Sequence, residues 1–356
     1  MNIAVMGYGT VGRCVVRLLE NNRDIHVKYI LELPEKCVEE RMVSDPGIFF
    51  ADPGIEMVVD ALPGVHPSFE LIKKSLLAGK NVVTSNKAAL AFDMKELLAL
   101  TSENGPKIYC EATTGGTIPV IKEAASLSKT NEVMYCYGIM NGTTNFILDV
   151  MIREGWSFED ALKEAQRLGY AEADPTADLC GFDVKNKVIL LSSIAYRGMI
   201  AKEFPVFGIE KITKELLDDF SREGKTVKLL GLSVRKENRY AIGVVPVVLS
   251  LSSMEANVPK NFNMFTLGCS FAGDVKLYGQ GAGGDPTADA VIRDLADALS
   301  GNGFSAEYFD RELVYDPSLL TGEGRIGGKS YAGTLEELSE EAERQNAFFA
   351  FRPDFL

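Results

Sequence analysis

The 356-residue sequence is poor in the side chains that most often bind zinc. It has two histidines, His26 and His66, and six cysteines, none of which form a CxxC pair. This composition offers little material for a zinc site and is typical of reduced thiols. A cytoplasmic location is therefore expected.

The sequence also has no cluster of basic residues and no long apolar run. Lys and Arg together number 37 against 50 Asp and Glu, which gives a formal charge of -13. Such a surface should repel nucleic acid and anionic membranes. No apolar run approaches the roughly 20 residues of a membrane span, and the N-terminus lacks the basic segment of a signal peptide. We expect no nucleic acid and no membrane among the partners.

What the chain does have, at its start, is a glycine-rich turn directly after an apolar strand. The turn has the pattern GxGxxG and leads into a segment with apolar residues at helical spacing. Glycines at these positions permit a tight turn, the close approach of a pyrophosphate and close packing of helix on strand. We predict a dinucleotide site there, and a glycine-rich turn without a ligand is the alternative. The predicted cofactor residues of this turn are Gly7, Gly9, Thr10, Val11 and Gly12.

An acidic residue stands where such folds usually recognise the ribose. The second predicted strand, 26–31, ends at Glu32, twenty residues beyond Gly12. An acid at this point accepts hydrogen bonds from the ribose hydroxyls of NAD and repels the additional phosphate of NADP. Lys36 and Arg41 are close enough in sequence to bind that phosphate, so both cofactors stay open. For Glu32, a solvated side chain at a strand end is the alternative.

Strands and helices then alternate. Apolar strands are predicted at 56–62, 81–84 and 107–110, with helices at 67–78 and 90–100. This alternation predicts an α/β fold with a Rossmann-like, doubly wound parallel sheet.

A second kind of pattern follows further along the chain. Short segments within 225–280 alternate apolar and polar positions, which predicts an open mixed sheet covered on one face by helices from 141–197. An α+β domain is therefore expected there. Beyond it, Asp285 and Pro286 have the pattern of an N-cap and first residue of a helix.

The pentapeptide DPTAD occurs twice, at 174–178 and 285–289, and the first copy precedes a charged helix start. Asp183 and Lys187 are four residues apart and so share one face of that helix. A surface ion pair is the usual result of this spacing. Here, however, the next two turns are apolar nearly all round, which predicts a helix that runs through the protein. Asp174 before Pro175 is typical of a helix start.

Five segments resemble one enzyme family, the homoserine dehydrogenases, in order and spacing. The resemblance extends from the N-terminus to about residue 300, and its most specific part lies at 168–187. It implies NAD(P)-linked interconversion of L-homoserine and L-aspartate 4-semialdehyde, a step in threonine and methionine biosynthesis. The segments are VVTSNKAALA (82–91), EATTGGTIPVI (111–121), GIMNGTTNFIL (138–148), LGYAEADPTADLCGFDVKNK (168–187) and GQGAGGDPTADAV (279–291).

The resemblance implies roles for individual residues. Hydride transfer to the aldehyde leaves negative charge on the substrate oxygen, which a nearby cation stabilises or protonates. Lys187 matches the proton-transferring lysine, and Asp183 matches its partner carboxylate. Lys87 matches a lysine that reaches both substrate and cofactor, and Gly283 matches a glycine that touches the cofactor.

The substrate is an amino acid, so both of its charged ends need partners. By resemblance, Glu172 and Asp178 hold the amino end. The turn that contains Gly142 and Thr143 opens a helix, and free amides at a helix start suit an anion such as the substrate carboxylate.

The resemblance also implies a monovalent cation, Na⁺ or K⁺, bound by Glu111 and by main-chain carbonyls of Thr114, Gly116 and Ile118. Thr117 stands where the family usually has a third glycine, and Thr114 where it often has an apolar residue. A β-α turn without an ion is the alternative.

The expected organisation has two domains and a tail. Residues 1–130, completed by a helix at 285–300, form the nucleotide-binding domain, and 131–284 form the catalytic and dimerisation domain. The family implies a homodimer. The tail, 301–356, has no assigned role and is too short for the regulatory module that many family members carry. The alternatives are a dehydrogenase of another small amino or oxo acid and a catalytically silent nucleotide sensor.

Overall fold

The computed structural model describes residues 1–200 and 203–356. These residues divide into two compact units. The first contains 1–122 and 282–310, and the second contains 123–281 and 311–356. No helix in the described part of the chain is both long and apolar enough to cross a membrane.

The helices and strands alternate in the first third of the chain and cluster by type afterwards. The helices are α1 (Thr10–Leu19), α2 (Gly47–Ala51), α3 (Ser68–Leu77), α4 (Lys87–Phe92), α5 (Met94–Leu98), α6 (Val120–Leu127), α7 (Gly142–Arg153), α8 (Phe158–Arg167), α9 (Thr176–Leu179), α10 (Phe182–Tyr196), α11 (Lys214–Arg222), α12 (Gly284–Leu299) and α13 (Leu335–Arg344). The strands are β1 (Asn2–Met6), β2 (His26–Leu31), β3 (Met42–Val43), β4 (Met57–Asp60), β5 (Asn81–Thr84), β6 (Ile108–Tyr109), β7 (Val133–Ile139), β8 (Lys225–Lys236), β9 (Arg239–Ser250), β10 (Phe262–Cys269), β11 (Gly273–Gln280), β12 (Val314–Tyr315), β13 (Thr321–Ile326), β14 (Lys329–Thr334) and β15 (Phe349–Pro353).

The first unit is built on a six-stranded sheet in the order β3-β2-β1-β4-β5-β6. All its neighbouring strands run parallel. Its central strands are apolar along their length because both faces of a doubly wound sheet are covered. The order reverses beside β1, and dinucleotides bind at such a switch point, beyond the carboxyl ends of the strands. The predicted Rossmann-like sheet is confirmed.

Helix α12 returns to the first unit, where Val291 and Leu295 join the core around Val15 and Val16 of α1. The predicted N-cap of α12 is wrong by two residues. The helix begins at Gly284 with Gly283 as N-cap, so Asp285 is not the cap. Instead, the Asp285 carboxylate pairs with Arg17.

The single helix predicted at 90–100 is also wrong, because the structure has two short helices there. Asp93 separates α4 from α5 with an extended φ of -152°, and its side chain accepts a hydrogen bond from Glu96 N at 3.0 Å. An aspartate in this role starts a new helix rather than continuing the old one.

The second unit contains a nine-stranded mixed sheet. Eight strands follow the order β11-β10-β7-β8-β9-β15-β13-β14, and β12 pairs with β9. Helix α10 packs against β7 and β8, and α7 packs against β8 and β10. From Val188 to Tyr196 every residue of α10 is buried, as its apolar sequence predicts. The expected α+β unit with an open mixed sheet is confirmed.

The last part of the chain belongs to this second sheet. Strand β15 runs parallel to β9, with Phe351 opposite Val247, and pairs with β13 on its other side. Phe349 and Phe351 are buried in the core. The acidic helix α13 is capped by Thr334 and Glu337, which hydrogen-bond each other's main-chain amides. Residues 311–356 therefore complete the sheet.

Candidate active site

The first turns of α10 carry a buried ion pair. Lys187 Nζ donates to Asp183 Oδ2 at 2.7 Å and to the main-chain oxygen of Met140 at 2.6 Å. The two side chains are only 7% and 9% exposed. An ammonium group has three donors, and these two contacts fix its position. The pair is therefore not a surface ion pair.

Asn141 connects this pair to a second carboxylate. Its Nδ2 donates to Asp183 Oδ2 at 2.9 Å and to Asp178 Oδ1 at 2.7 Å. Its Oδ1 accepts from Thr144 N at 2.8 Å, so the same side chain caps α7. This side chain is not among the site residues predicted from the sequence. The available signal was an asparagine directly before a predicted helix.

Asp178 has a second polar neighbour. Thr143 Oγ1 lies 3.0 Å from Asp178 Oδ2 and 2.7 Å from the main-chain oxygen of Tyr170. The start of α7 is thus joined to both segments that precede α10, at 170 and at 178. We call Asp178, Asp183, Lys187, Asn141 and Thr143 the Lys187 cluster.

Asp178 is the carboxylate of the Lys187 cluster that is suited to a ligand. It is partly buried, and among the described contacts it is hydrogen-bonded by two neutral side chains, Asn141 and Thr143. Burial, together with the nearby charge of Asp183, raises the pKa of Asp178 above its ordinary value. A carboxylate in such surroundings is stabilised in its charged form by a nearby cation. The cluster is therefore suited to a cationic ligand group such as a substrate ammonium.

The other predicted substrate residues lie at different depths. Gly142 is the first residue of α7, where amides without intrahelical partners occur. Glu172 is exposed, two residues after Tyr170. In the described part of the chain, no contact joins the Glu172 carboxylate to the Lys187 cluster.

The glycine turn of the first unit has the geometry that a diphosphate requires. Gly7 has a φ of +93°, and a Cβ on Gly12 would collide with the Gly7 carbonyl oxygen. A Cβ on Gly9 would meet no other described atom within 4 Å, so a ligand can approach this backbone. Gly9 is also the N-cap of α1, and Thr10 and Val11 form its first turn, where free amides favour an anion.

Glu32 and Gly283 are two further predicted cofactor residues. Glu32 follows β2 and accepts from Leu33 N at 2.8 Å, with Lys36 Nζ 3.9 Å from its carboxylate. Gly283 has a φ of +123° and precedes Gly284, whose Cβ would lie 3.0 Å from Thr10 Cγ2. Glu32 and Gly283 therefore both belong to the unit that contains the glycine turn.

Lys87 begins α4, just beyond the carboxyl end of β5. The preceding residue, Asn86, donates through Nδ2 to the carbonyls of Leu62 at 2.9 Å and Gly64 at 2.6 Å. Asn86 Oδ1 also accepts from Ala89 N at 3.0 Å. These bonds fix the loop that carries Lys87 at the edge of the sheet where ligands of such folds bind.

Glu111 is buried at the start of the predicted cation loop. Its two carboxylate oxygens accept from Ile121 N at 3.1 Å and Lys122 N at 2.7 Å. Burial raises the pKa of Glu111 to about 7. Gly116 has a φ of +56°, a conformation that lets a backbone carbonyl turn away from its usual direction. Among the described residues, no three His, Cys, Asp or Glu side chains converge on a metal position.

Two family models match the chain. "Homoserine dehydrogenase, NAD binding domain" matches residues 7–111, and "Homoserine dehydrogenase" matches residues 119–296. The homoserine dehydrogenase of Bacillus subtilis is 32% identical, over 95% of this chain and 84% of that protein. The chain belongs to the homoserine dehydrogenase family.

Further members agree in sequence and in fold. The homoserine dehydrogenase of Corynebacterium glutamicum is 36% identical over 84% of this chain and 72% of that protein. A crystal structure of the Thiobacillus denitrificans homoserine dehydrogenase has a TM-score of 0.88 and 28% identity, covering 100% of this chain and 99% of that one. As a homoserine dehydrogenase, the chain is an NAD(P)-binding oxidoreductase that interconverts L-homoserine and L-aspartate 4-semialdehyde in amino-acid biosynthesis.

Proposed function

We propose that the Lys187 cluster performs the homoserine dehydrogenase reaction of this chain. In the reductive direction, the Lys187 ammonium donates a proton to the C4 oxygen of the aldehyde as the carbon is reduced. In the oxidative direction, the neutral amine accepts the proton of the alcohol. Asp183 orients the lysine and stabilises its charged form. Bound NAD(P) supplies or accepts the hydride.

The observation that carries this proposal is a buried, fixed Lys187 beside a second, partly buried carboxylate, Asp178, that is hydrogen-bonded by neutral side chains. A substrate ammonium beside Asp178 would give this carboxylate a charged partner. The amides of Gly142 and Thr143 would then hold the substrate carboxylate. Glu172 lies at the exposed side of this region and would pair with the ammonium as the substrate enters.

A substrate without the ammonium group tests this proposal. NAD(P)H formation should be readily measured with L-homoserine. With 4-hydroxybutyrate, which has the same alcohol and carboxylate but no amine, we expect kcat/KM to fall by about 10³-fold or more, because the partly buried Asp178 carboxylate is left without its cationic partner. Comparable kcat/KM for both compounds would contradict the assigned role of Asp178, and no turnover of L-homoserine would contradict the proposal as a whole.

We assign cofactor binding to the first unit. The diphosphate would rest on Gly9, Thr10 and Val11, with Gly7 and Gly12 shaping the turn, while Gly283 and Lys87 complete the site. Glu32 would accept the ribose hydroxyls of NAD, and Lys36 is placed to pair with the additional phosphate of NADP. Use of NADP is supported by an archaeal homoserine dehydrogenase whose structure was solved with NADPH, at 26% identity and a TM-score of 0.72.

A monovalent cation is the proposed ligand of the loop at 111–118. The buried Glu111 carboxylate would be stabilised in its ionised form by Na⁺ or K⁺, and carbonyls of Thr114, Gly116 and Ile118 would supply further oxygens. The ion would act by holding the loop, without a part in the chemistry.

Two further inferences concern the whole protein. A homodimer is expected from the family, and light scattering should give twice the mass of one chain. A cytoplasmic location fits the six cysteines, all of which are free thiols.

A further inference from the structure

A second buried lysine lies under α7, outside the Lys187 cluster. Lys228, on β8, is 1% exposed. Its Nζ donates to Asn145 Oδ1 at 2.8 Å and to the carbonyl of Val258 at 3.0 Å, and lies 3.8 Å from Asp149 Oδ1. Burial lowers the pKa of Lys228 to about 8. Because a buried cation is costly, this lysine needs a structural or functional reason.

Asn145 and Asp149, both on α7, bind the segment 258–262 that leads into β10. Asn145 Nδ2 is directed at the carbonyls of Lys260, Val258 and Phe262, at 2.8, 3.2 and 3.2 Å. Asp149 Oδ2 accepts from Lys260 N at 2.9 Å. Side chains of one helix therefore bond four main-chain groups of this segment, three carbonyls and one amide.

The conformation of the segment depends on these bonds. Lys260 has a φ of +50°, in the left-handed region that residues with a side chain rarely adopt. Both its amide and its carbonyl are bound by α7 side chains. Strain of this kind persists only where the surrounding structure fixes it.

The segment packs directly on the start of α7. A Cβ on Gly142 would lie 2.7 Å from Asn261 O and 3.4 Å from Asn261 Cβ. The preceding residue, Asn141, bridges Asp178 and Asp183. Any displacement of Asn261 would therefore shift the first turn of α7, which we propose binds the substrate carboxylate.

We propose that Lys228, Asn145 and Asp149 are positioning residues for substrate binding: they hold segment 258–262 against Gly142 and so fix the first turn of α7. This inference rests on the proposed function of that turn. The three residues act through the segment and do not touch reacting atoms. Their loss should therefore affect the binding of homoserine rather than that of the cofactor.

The variant Lys228→Met keeps the apolar stem and removes the donors. We expect the KM for L-homoserine to rise by about tenfold, with kcat and the KM for NAD(P)⁺ within about twofold of wild type. Amide hydrogen exchange in 258–262 should accelerate. A folded Lys228→Met protein with an unchanged homoserine KM would overturn the inference.

Arg235→Met is the matched control, because Arg235 is a largely buried cation on the same strand. Its guanidinium donates to the carbonyls of Val133 at 3.2 Å and Glu237 at 2.8 Å, and not to 258–262. This variant should lose stability and keep the homoserine KM. An equal rise in KM for both variants would show a general effect of destabilisation and overturn the inference.

A second pair of variants applies if Lys228→Met does not fold. Asp149→Asn keeps an oxygen that accepts from Lys260 N, and should keep a KM close to wild type. Asp149→Leu removes that acceptor and should raise the KM. Equal values for the two would contradict the inference. Failure of the proposed function is distinguishable, since it would appear as absence of homoserine turnover in the wild-type protein.

Discussion

The two copies of DPTAD place identical residues in different surroundings. In the first copy, 174–178, the Asp178 carboxylate contacts Asn141 and Thr143 and its pKa is raised by burial. In the second, 285–289, the carboxylates are exposed.

Those exposed carboxylates form surface ion pairs. Asp285 pairs with Arg17, and Asp289 pairs with Arg293 at 3.1 Å. Exposed pairs contribute little because water and salt already solvate both charges. The comparison shows that the chemistry of a carboxylate here follows from its surroundings and not from its local sequence.

Even the helix starts differ between the copies. In the first copy the N-cap of α9 is Pro175, one residue later than predicted, and Asp174 Oδ1 accepts from Thr176 N at 3.1 Å from just outside the helix. In the second copy the helix has already begun at Gly284, so Asp285 lies in its first turn.

The largest effect should come from removing the carboxylate that holds the lysine. We expect Asp183→Ala to lower kcat by about 10²- to 10⁴-fold, because Lys187 loses its orientation and its counter-charge. Asp285→Ala, at the second copy, should stay within about twofold in the same steady-state assay. Similar losses for both variants would contradict the functional difference between the buried Asp183 and the exposed Asp285.

A smaller effect is expected for the pentapeptide aspartates themselves. Asp178→Asn should raise the homoserine KM by about 10- to 100-fold, since the substrate ammonium loses a charged partner, while Asp289→Asn should leave it unchanged.

The pH dependence of the homoserine KM tests the same assignment of Asp178. The pKa of Asp178 is raised from 3.8, so on acidification the carboxylate is neutralised earlier than an exposed aspartate, and homoserine KM should rise as pH falls. A pH-independent KM in the acidic range would contradict this assignment.

The first unit was the more predictable part of the fold. Its parallel strands are continuous apolar runs, and its glycines stand where a tight turn requires them. The order of the second sheet could not be predicted, because β7 pairs with β8 and β10, both more than ninety residues away along the chain. Strands β13 and β14 are six residues long, contain two glycines and one glycine respectively, and become strands through pairing with their neighbours.

Only part of the Lys187 cluster could be predicted from the sequence. The spacing of Asp183 and Lys187, followed by apolar turns, indicates a buried pair. That Asn141 bridges two carboxylates depends on the packing of α7 beside α10, which local sequence does not encode.

A moderate effect on stability is expected at Glu111. Its pKa rises from 4.5 unfolded to about 7 folded. The folded state therefore binds more protons between these values, so stability should fall as pH rises from 4.5 to 7. Glu111→Gln should reduce this slope, whereas Asp289→Asn should not. Thermal unfolding at several pH values, in KCl and in choline chloride, is the measurement. A steeper slope in choline would support the proposed cation, and equal slopes would count against it.

The smallest effect should follow from breaking the Arg17–Asp285 pair. Both partners are more than half exposed. Arg17→Met should therefore shift the midpoint of thermal unfolding by less than about 2 °C. A larger shift would mean that the Arg17–Asp285 pair contributes more to stability than an exposed ion pair does.

The central claim is that Lys187 moves the proton of the reaction. The most direct measurement is kcat for L-homoserine oxidation by Lys187→Ala, with Lys185→Ala as control. Lys185 lies on the same helix, with its ammonium 5.5 Å from the centre of the Phe204 ring. We predict a loss of about 10³-fold for Lys187→Ala and a change within about twofold for Lys185→Ala. A Lys187→Ala enzyme with kcat close to wild type would contradict the account.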